Sequence, residues 1–80
     1  MAKELDRAAV AEVLEAVLGV AVSRTEDTRR QGLAAWDSVK HIEVVFALED
    51  TFEVEISEAV VATLDSVDAI VRALGGLRAA

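Results

Sequence analysis

Residues 35–56 read AWDSVKHIEVVFALEDTFEVEI, and the fold turns on how this stretch is patterned. Ile42, Val45, Leu48 and Phe52 recur at spacings of three, three and four, the period of one helical face. Val44, Phe46 and Ala47 widen that stripe, so this helix is expected at the centre of a bundle with several neighbours against it. Asp37 stands where its carboxylate can accept from the free N–H groups of a first helical turn. The helix is therefore predicted over 38–52.

Upstream, ELDRAAVAEVLEAVL at 4–18 has the same period. Leu5, Ala9, Val13 and Val17 share one face, Val10 and Leu14 lie beside them, and Gly19 is a natural stop. The polar, aperiodic residues between Gly19 and Leu33 form a loop that is long for a small domain. Leu33 and Trp36 are expected to pin its far end to the core. Downstream, 53–56 is expected as an extended linker with Val54 and Ile56 turned inward. Ser57 is placed to cap a short helix over 58–63. Asp65 or Ser66 is placed to cap a last helix over 66–74, with Val67, Ile70, Val71 and Leu74 on its inner face. Gly75-Gly76 is expected to end that helix and leave LRAA as a frayed tail. The result is a single all-α domain over 1–80, a small four-helix bundle with three main helices, a short third one and a long first loop.

Composition narrows the chemistry. Of 80 residues 54% are hydrophobic, which supports a packed core, and the absence of cysteine removes disulfides and thiolate metal sites. One histidine cannot supply the usual metal-ligand sets, and neither a calcium loop nor a glycine-rich phosphate loop is present. No run approaches the ~20 apolar residues of a membrane span. The N-terminus MAKELDRAAV lacks a signal-peptide profile, so a soluble, cytoplasmic, monomeric protein is expected. The net charge is −7 and is distributed unevenly. Between His41 and Val71 there is no Lys or Arg, but there are Glu43, Glu49, Asp50, Glu53, Glu55, Glu58, Asp65 and Asp68. Such a field disfavours nucleic acid and anionic membranes and favours partners with basic surfaces.

Ser38 raises the question of chemistry. His41 is three residues on and could touch it on a helix. A nucleophilic triad also needs an orienting group, an oxyanion hole and a pocket, and nothing here signals them. His41 is expected as a solvated helix residue, and the chain is read as a non-enzyme. Ser38 is instead read as a site that another enzyme modifies, because an anion at a first helical turn meets free N–H groups and the positive end of the helix dipole. Val39, Glu43, Phe46 and Asp50 follow at spacings of four, three and four, an apolar anchor with an acidic rim. Asp37-Ser38 alone fits a plain helix start equally well, as in an unmodified acidic interaction module.

DSVKHIEVVFALEDTFEVEI resembles the recognition helix of acyl carrier proteins, and the resemblance extends over nearly the whole chain, including Leu64-Asp65-Ser66-Val67 at the entry to the last helix. The resemblance implies that Ser38 receives 4′-phosphopantetheine from coenzyme A through a separate phosphopantetheinyl transferase, with Asp37 as the motif aspartate before it. The arm's thiol would then hold acyl groups as thioesters. It further implies that Val39, Glu43, Phe46, Glu49 and Asp50 serve docking. The expected partners are an acyl-loading enzyme or acyltransferase, and a ketosynthase or other acyl-processing enzymes with basic surfaces. Val39 stands at the motif's usual leucine. Lys40 and His41 stand where fatty-acid carriers usually have an acid and a small polar residue. Trp36 before Asp37-Ser38 is similar to discrete carriers of specialised-metabolite pathways. A free-standing acyl carrier of polyketide or related biosynthesis is the reading this supports, with an aminoacyl or peptidyl carrier as the alternative.

Overall fold

The computed structural model describes residues 4–79, and their architecture is all-α. Helix α1 spans Arg7–Leu18, a single 3-10 turn follows at Arg30–Gly32, α2 spans Ser38–Phe52, α3 Glu58–Val61 and α4 Val67–Ala79. Helix α1 packs against both α2 and α4. Val10, Leu14, Val44, Leu48, Phe52, Leu64, Val67, Ile70 and Leu74 bury their side chains almost completely between them.

The helix ends follow local chemistry. Asp6 accepts from the Ala9 N–H at 2.8 Å and opens α1, so the helix begins after Glu4 and Leu5 rather than at 4. Gly19 closes it in the left-handed conformation at φ 72°, its N–H donating to the Glu15 carbonyl. Ser66, not Asp65, caps α4, its hydroxyl accepting from the Ala69 N–H at 3.1 Å. Caps of this kind are each worth about 1 kcal/mol. Helix α3 stops at Val61 instead of 63, because the Thr63 and Leu64 N–H groups turn back to Val60 and Val61 in tight i→i+3 bonds. Ser57 precedes α3 without a side-chain capping bond.

Two expectations about the core are corrected. Ile42 and Phe46, both expected on the inner stripe, are 56% and 65% exposed, while His41, expected as a solvated residue, is only 7% exposed and heads the buried stripe with Val44, Val45, Leu48 and Phe52. At 100° per residue Ile42 lies about a quarter-turn from the centre of that stripe, and His41 falls on it. The imidazole tolerates burial because both its nitrogens are satisfied. Trp36 Nε1–H donates to His41 Nδ1 at 2.9 Å, and His41 Nε2 then donates to the Val61 carbonyl at 2.9 Å. The second correction concerns α4, which runs through Gly75-Gly76 instead of ending there. Neither glycine is left-handed, and Leu77 packs against the core beyond them. That packing offsets a propensity cost of about 1 kcal/mol per glycine. Helix therefore covers most of the expected tail; Ala80 lies outside the described residues.

The long loop is anchored along its length. Val22 is buried and its N–H donates to Glu15, while Arg24 pairs with the same carboxylate at 2.7 Å. The bond from Arg24, helped by Val22 N–H, holds the Glu15 carboxyl below the usual range. Arg7 bonds both the Thr25 carbonyl and Asp68. Farther on the loop is clipped to the start of α4: Asp27 accepts from the Asp68 N–H, Val67 N–H donates to Thr28 and Arg30 N–H to Asp65. Leu33 packs on the core and Trp36 is 2% exposed, so the far end is pinned as expected.

Within the acidic run, Glu43 pairs with Lys40 at 3.2 Å, Glu49 accepts from the Ile56 N–H and Asp68 meets Arg7. Asp50, Glu53, Glu55, Glu58 and Asp65 are exposed and make no ion pair among the described residues. Their mutual repulsion should be screened by salt. Melting temperature is expected to rise between low and moderate ionic strength, each kcal/mol of relief being worth about 4–8 °C in a domain of this size. A melting curve indifferent to NaCl and Mg²⁺ would show that the acidic run costs the fold nothing.

Candidate functional site

Ser38 is the first residue of α2, and its side chain is exposed. Asp37 lies in extended backbone and accepts from the Lys40 N–H at 2.9 Å, so the helix start does not depend on the serine hydroxyl. The earliest N–H groups of a helix have no intrahelical acceptor and favour an anion nearby. Arg30 approaches from the loop, its Nη2 lying 3.5 Å from Ser38 Oγ and its Nε donating to the Trp36 carbonyl at 3.2 Å. His41, considered above as a base for Ser38, is turned into the core towards Trp36 and Val61. No serine–histidine pair forms.

On the outer side of α2, Val39 is 70% exposed, Phe46 65% and Ile42 56%. Glu43 and Asp50 are exposed on the same face. Sequence reasoning placed Ile42 in the core and so missed it here; comparing its helical angle with that of Phe46 would have found it. Glu49 is half-buried, and its carboxylate fastens the turn after α2 by accepting from Ile56 N–H at 2.9 Å. Its backbone carbonyl takes the N–H groups of Glu53 and Val54 as well. Among the docking residues expected from the resemblance, Val39, Glu43, Phe46 and Asp50 form one exposed face, and Glu49 serves the fold beside it. The described residues contain no group of acidic or histidine side chains able to hold a metal. No helix among them is long and apolar enough to cross a membrane.

A family model described as a phosphopantetheine attachment site matches residues 8–74, from the first helix to the middle of the last. The chain belongs to this family. It is a carrier protein whose prosthetic group is a covalently attached 4′-phosphopantetheine. Carriers of this kind are generally not catalysts themselves and meet transferases and acyl-processing enzymes. No curated protein and no solved structure matches the chain at a significant level.

The carrier's residues fit the group. An attachment site needs a hydroxyl that a transferase can reach, and surroundings that accept a phosphodiester. Ser66 is buried and committed to its cap, and the Ser23 hydroxyl accepts from the Thr25 and Glu26 N–H groups in a loop turn. Ser57 is exposed but opens a helix of only four residues. Ser38 combines exposure, the start of a 15-residue helix and a neighbouring guanidinium.

Proposed function

We propose that Ser38 carries the 4′-phosphopantetheine and that the chain is an acyl carrier acting in the cytoplasm, in polyketide or related specialised-metabolite biosynthesis. The observation that carries this reading is the exposed Ser38 hydroxyl at the start of α2, adjoining the Val39–Ile42–Phe46 face. When attached, the arm supplies a terminal thiol that holds acyl groups as thioesters. The chain's own residues position and present it. Asp37 sets the first turn of α2, while Trp36, locked to His41, fixes the loop end from which the serine projects. Presentation at the end of a tether raises the effective concentration of substrate at each partner's active site.

Partner recognition falls to Val39, Ile42 and Phe46 as apolar anchors, with Glu43 and Asp50 as the rim facing basic residues of a transferase, an acyl-loading enzyme or a ketosynthase. Central aromatic anchors dominate such interfaces. Phe46→Ala should therefore weaken transfer to an acyl-processing partner roughly tenfold or more, the equivalent of about 1.4 kcal/mol. Its stability should change by under about 0.5 kcal/mol, since the ring is largely solvated. Partner kinetics read against a urea melt separate the two effects, and an unaltered KM would remove Phe46 from the interface.

Acceptance of the arm is tested by intact-protein mass spectrometry after incubation with coenzyme A, Mg²⁺ and a broad-specificity phosphopantetheinyl transferase, with Ser38→Ala as the control for its site. One added phosphopantetheine supports it. No addition with several transferases would favour an acidic interaction module. Charging the loaded form with acyl against aminoacyl groups then separates an acyl carrier from a peptidyl one.

A further inference from the structure

We propose that Arg30 clamps the phosphodiester of the arm on Ser38, and that the cleft beside it, between the long loop and α4, takes the root of the arm. This rests on Ser38 being the attachment residue. Among the described residues, Arg30 has no carboxylate partner, in a chain with 15 acidic residues. Its backbone is held by the bond from its N–H to the Asp65 carbonyl at 2.8 Å, and its Nε by the Trp36 carbonyl. Two fixed points aim the remaining donors at Ser38 Oγ. The 3.5 Å separation there is long for a hydrogen bond to a neutral hydroxyl. Esterification replaces the hydroxyl by a phosphate whose unesterified oxygens extend beyond Oγ, within reach of charge-assisted bonds of about 2.7–2.9 Å. A guanidinium has five N–H donors in a planar fork, so the bond to Trp36 leaves enough for a phosphate.

The cleft continues from Arg30. It has a volume of about 630 Å³ and is lined by Arg29, Trp36, Ser66, Ala69 and Arg72 in addition to Arg30, a size typical of small-molecule sites. Arg72 makes no ion pair among the described residues. Of the acids on the cleft wall, Asp27 is occupied by the Asp68 N–H and Arg29, and Asp65 is exposed. The cleft wall thus carries three arginines against two aspartates, on a chain whose net charge is −7. A clamp here fixes the direction in which the arm leaves the surface, so Arg30 is a positioning residue.

The test compares apo and fully loaded full-length chain, with loading verified by mass, for the wild type, Arg30→Gln, Arg30→Lys and the control Arg24→Gln. Phosphorus NMR of the loaded phosphodiester and nitrogen–proton spectra of the arginine guanidinium groups, resolving the Nη–H signals, are the readouts. On loading, the wild-type Arg30 Nη–H signals should shift and exchange more slowly with water, while its Nε–H stays on the Trp36 carbonyl. The phosphorus resonance should move in Arg30→Gln, return part of the way in Arg30→Lys and stay in place in Arg24→Gln. Complete loading with an unmoved Arg30 signal, or with one phosphorus shift in all four proteins, overturns the clamp and leaves Ser38 as carrier intact. Failure of the wild type to load overturns the assignment beneath it.

Discussion

Ser38→Ala should abolish phosphopantetheine addition completely while leaving the bundle folded. The transfer needs an oxygen nucleophile at the exposed start of α2, and alanine has none. The other serines offer no substitute. Ser66 is buried in its cap, Ser23 is engaged in the loop turn, and Ser57 lies at a four-residue helix. The fold should not register the change, because Asp37 caps the helix and the long approach of Arg30 is the one hydrogen-bond contact of the serine side chain among the described residues. A stability difference within about 0.5 kcal/mol is expected. Intact mass is to be read together with a thermal melt. Residual addition to Ser38→Ala would place the arm on another hydroxyl. Loss of addition accompanied by unfolding would make the experiment silent on the site, and the conservative Ser38→Thr, which keeps a hydroxyl, would then decide.

Trp36→Ala should destabilise the domain by about 3–5 kcal/mol, the range for removing a buried tryptophan. A domain of 80 residues has roughly 4–12 kcal/mol in total, at about 0.05–0.15 kcal/mol per residue. One truncation therefore takes a large part of it. Cavity formation is the first cause, the ring being 2% exposed. The second is His41 Nδ1, a buried acceptor that loses its donor. Trp36→Phe separates these, since it keeps most of the bulk and removes only the N–H, at about 1–3 kcal/mol for the orphaned nitrogen. Urea midpoints at constant slope measure both. If Trp36→Phe matched the wild type, the indole–imidazole bond would carry no weight in the fold.

Much of this was readable before the structure, for physical reasons that vary by element. The extent of α2 was legible because an i, i+3, i+4 apolar stripe and a capping aspartate are local signals. The choice between His41 and Ile42 for the buried stripe was not. Hydropathy ranks isoleucine first, and the partners that make the imidazole buriable lie outside the helix, the Val61 carbonyl 20 residues away. Gly75-Gly76 misled for the opposite reason, because a local stop signal was overridden by the packing of Leu77. At the site, Ser38 and Phe46 were visible from motif and spacing. Arg30 was not, since a lone arginine in an aperiodic loop looks like any solvated charge. The clips from the loop to α4 are largely backbone bonds across more than thirty residues and leave little trace in residue type.

Those clips make the loop two different materials for anyone re-engineering the chain. Arg24, Thr25 and Glu26 are exposed, and their stretch precedes the bonds that join Asp27, Thr28 and Arg30 to the head of α4. A fluorophore belongs in the first half, on the exposed side chain of Glu26, because Arg24 is tied to Glu15 and the Thr25 carbonyl to Arg7. In the second half even one inserted residue would put Thr28 and Arg30 out of step with Val67 and Asp65, and the serine eight positions beyond Arg30 would inherit the error.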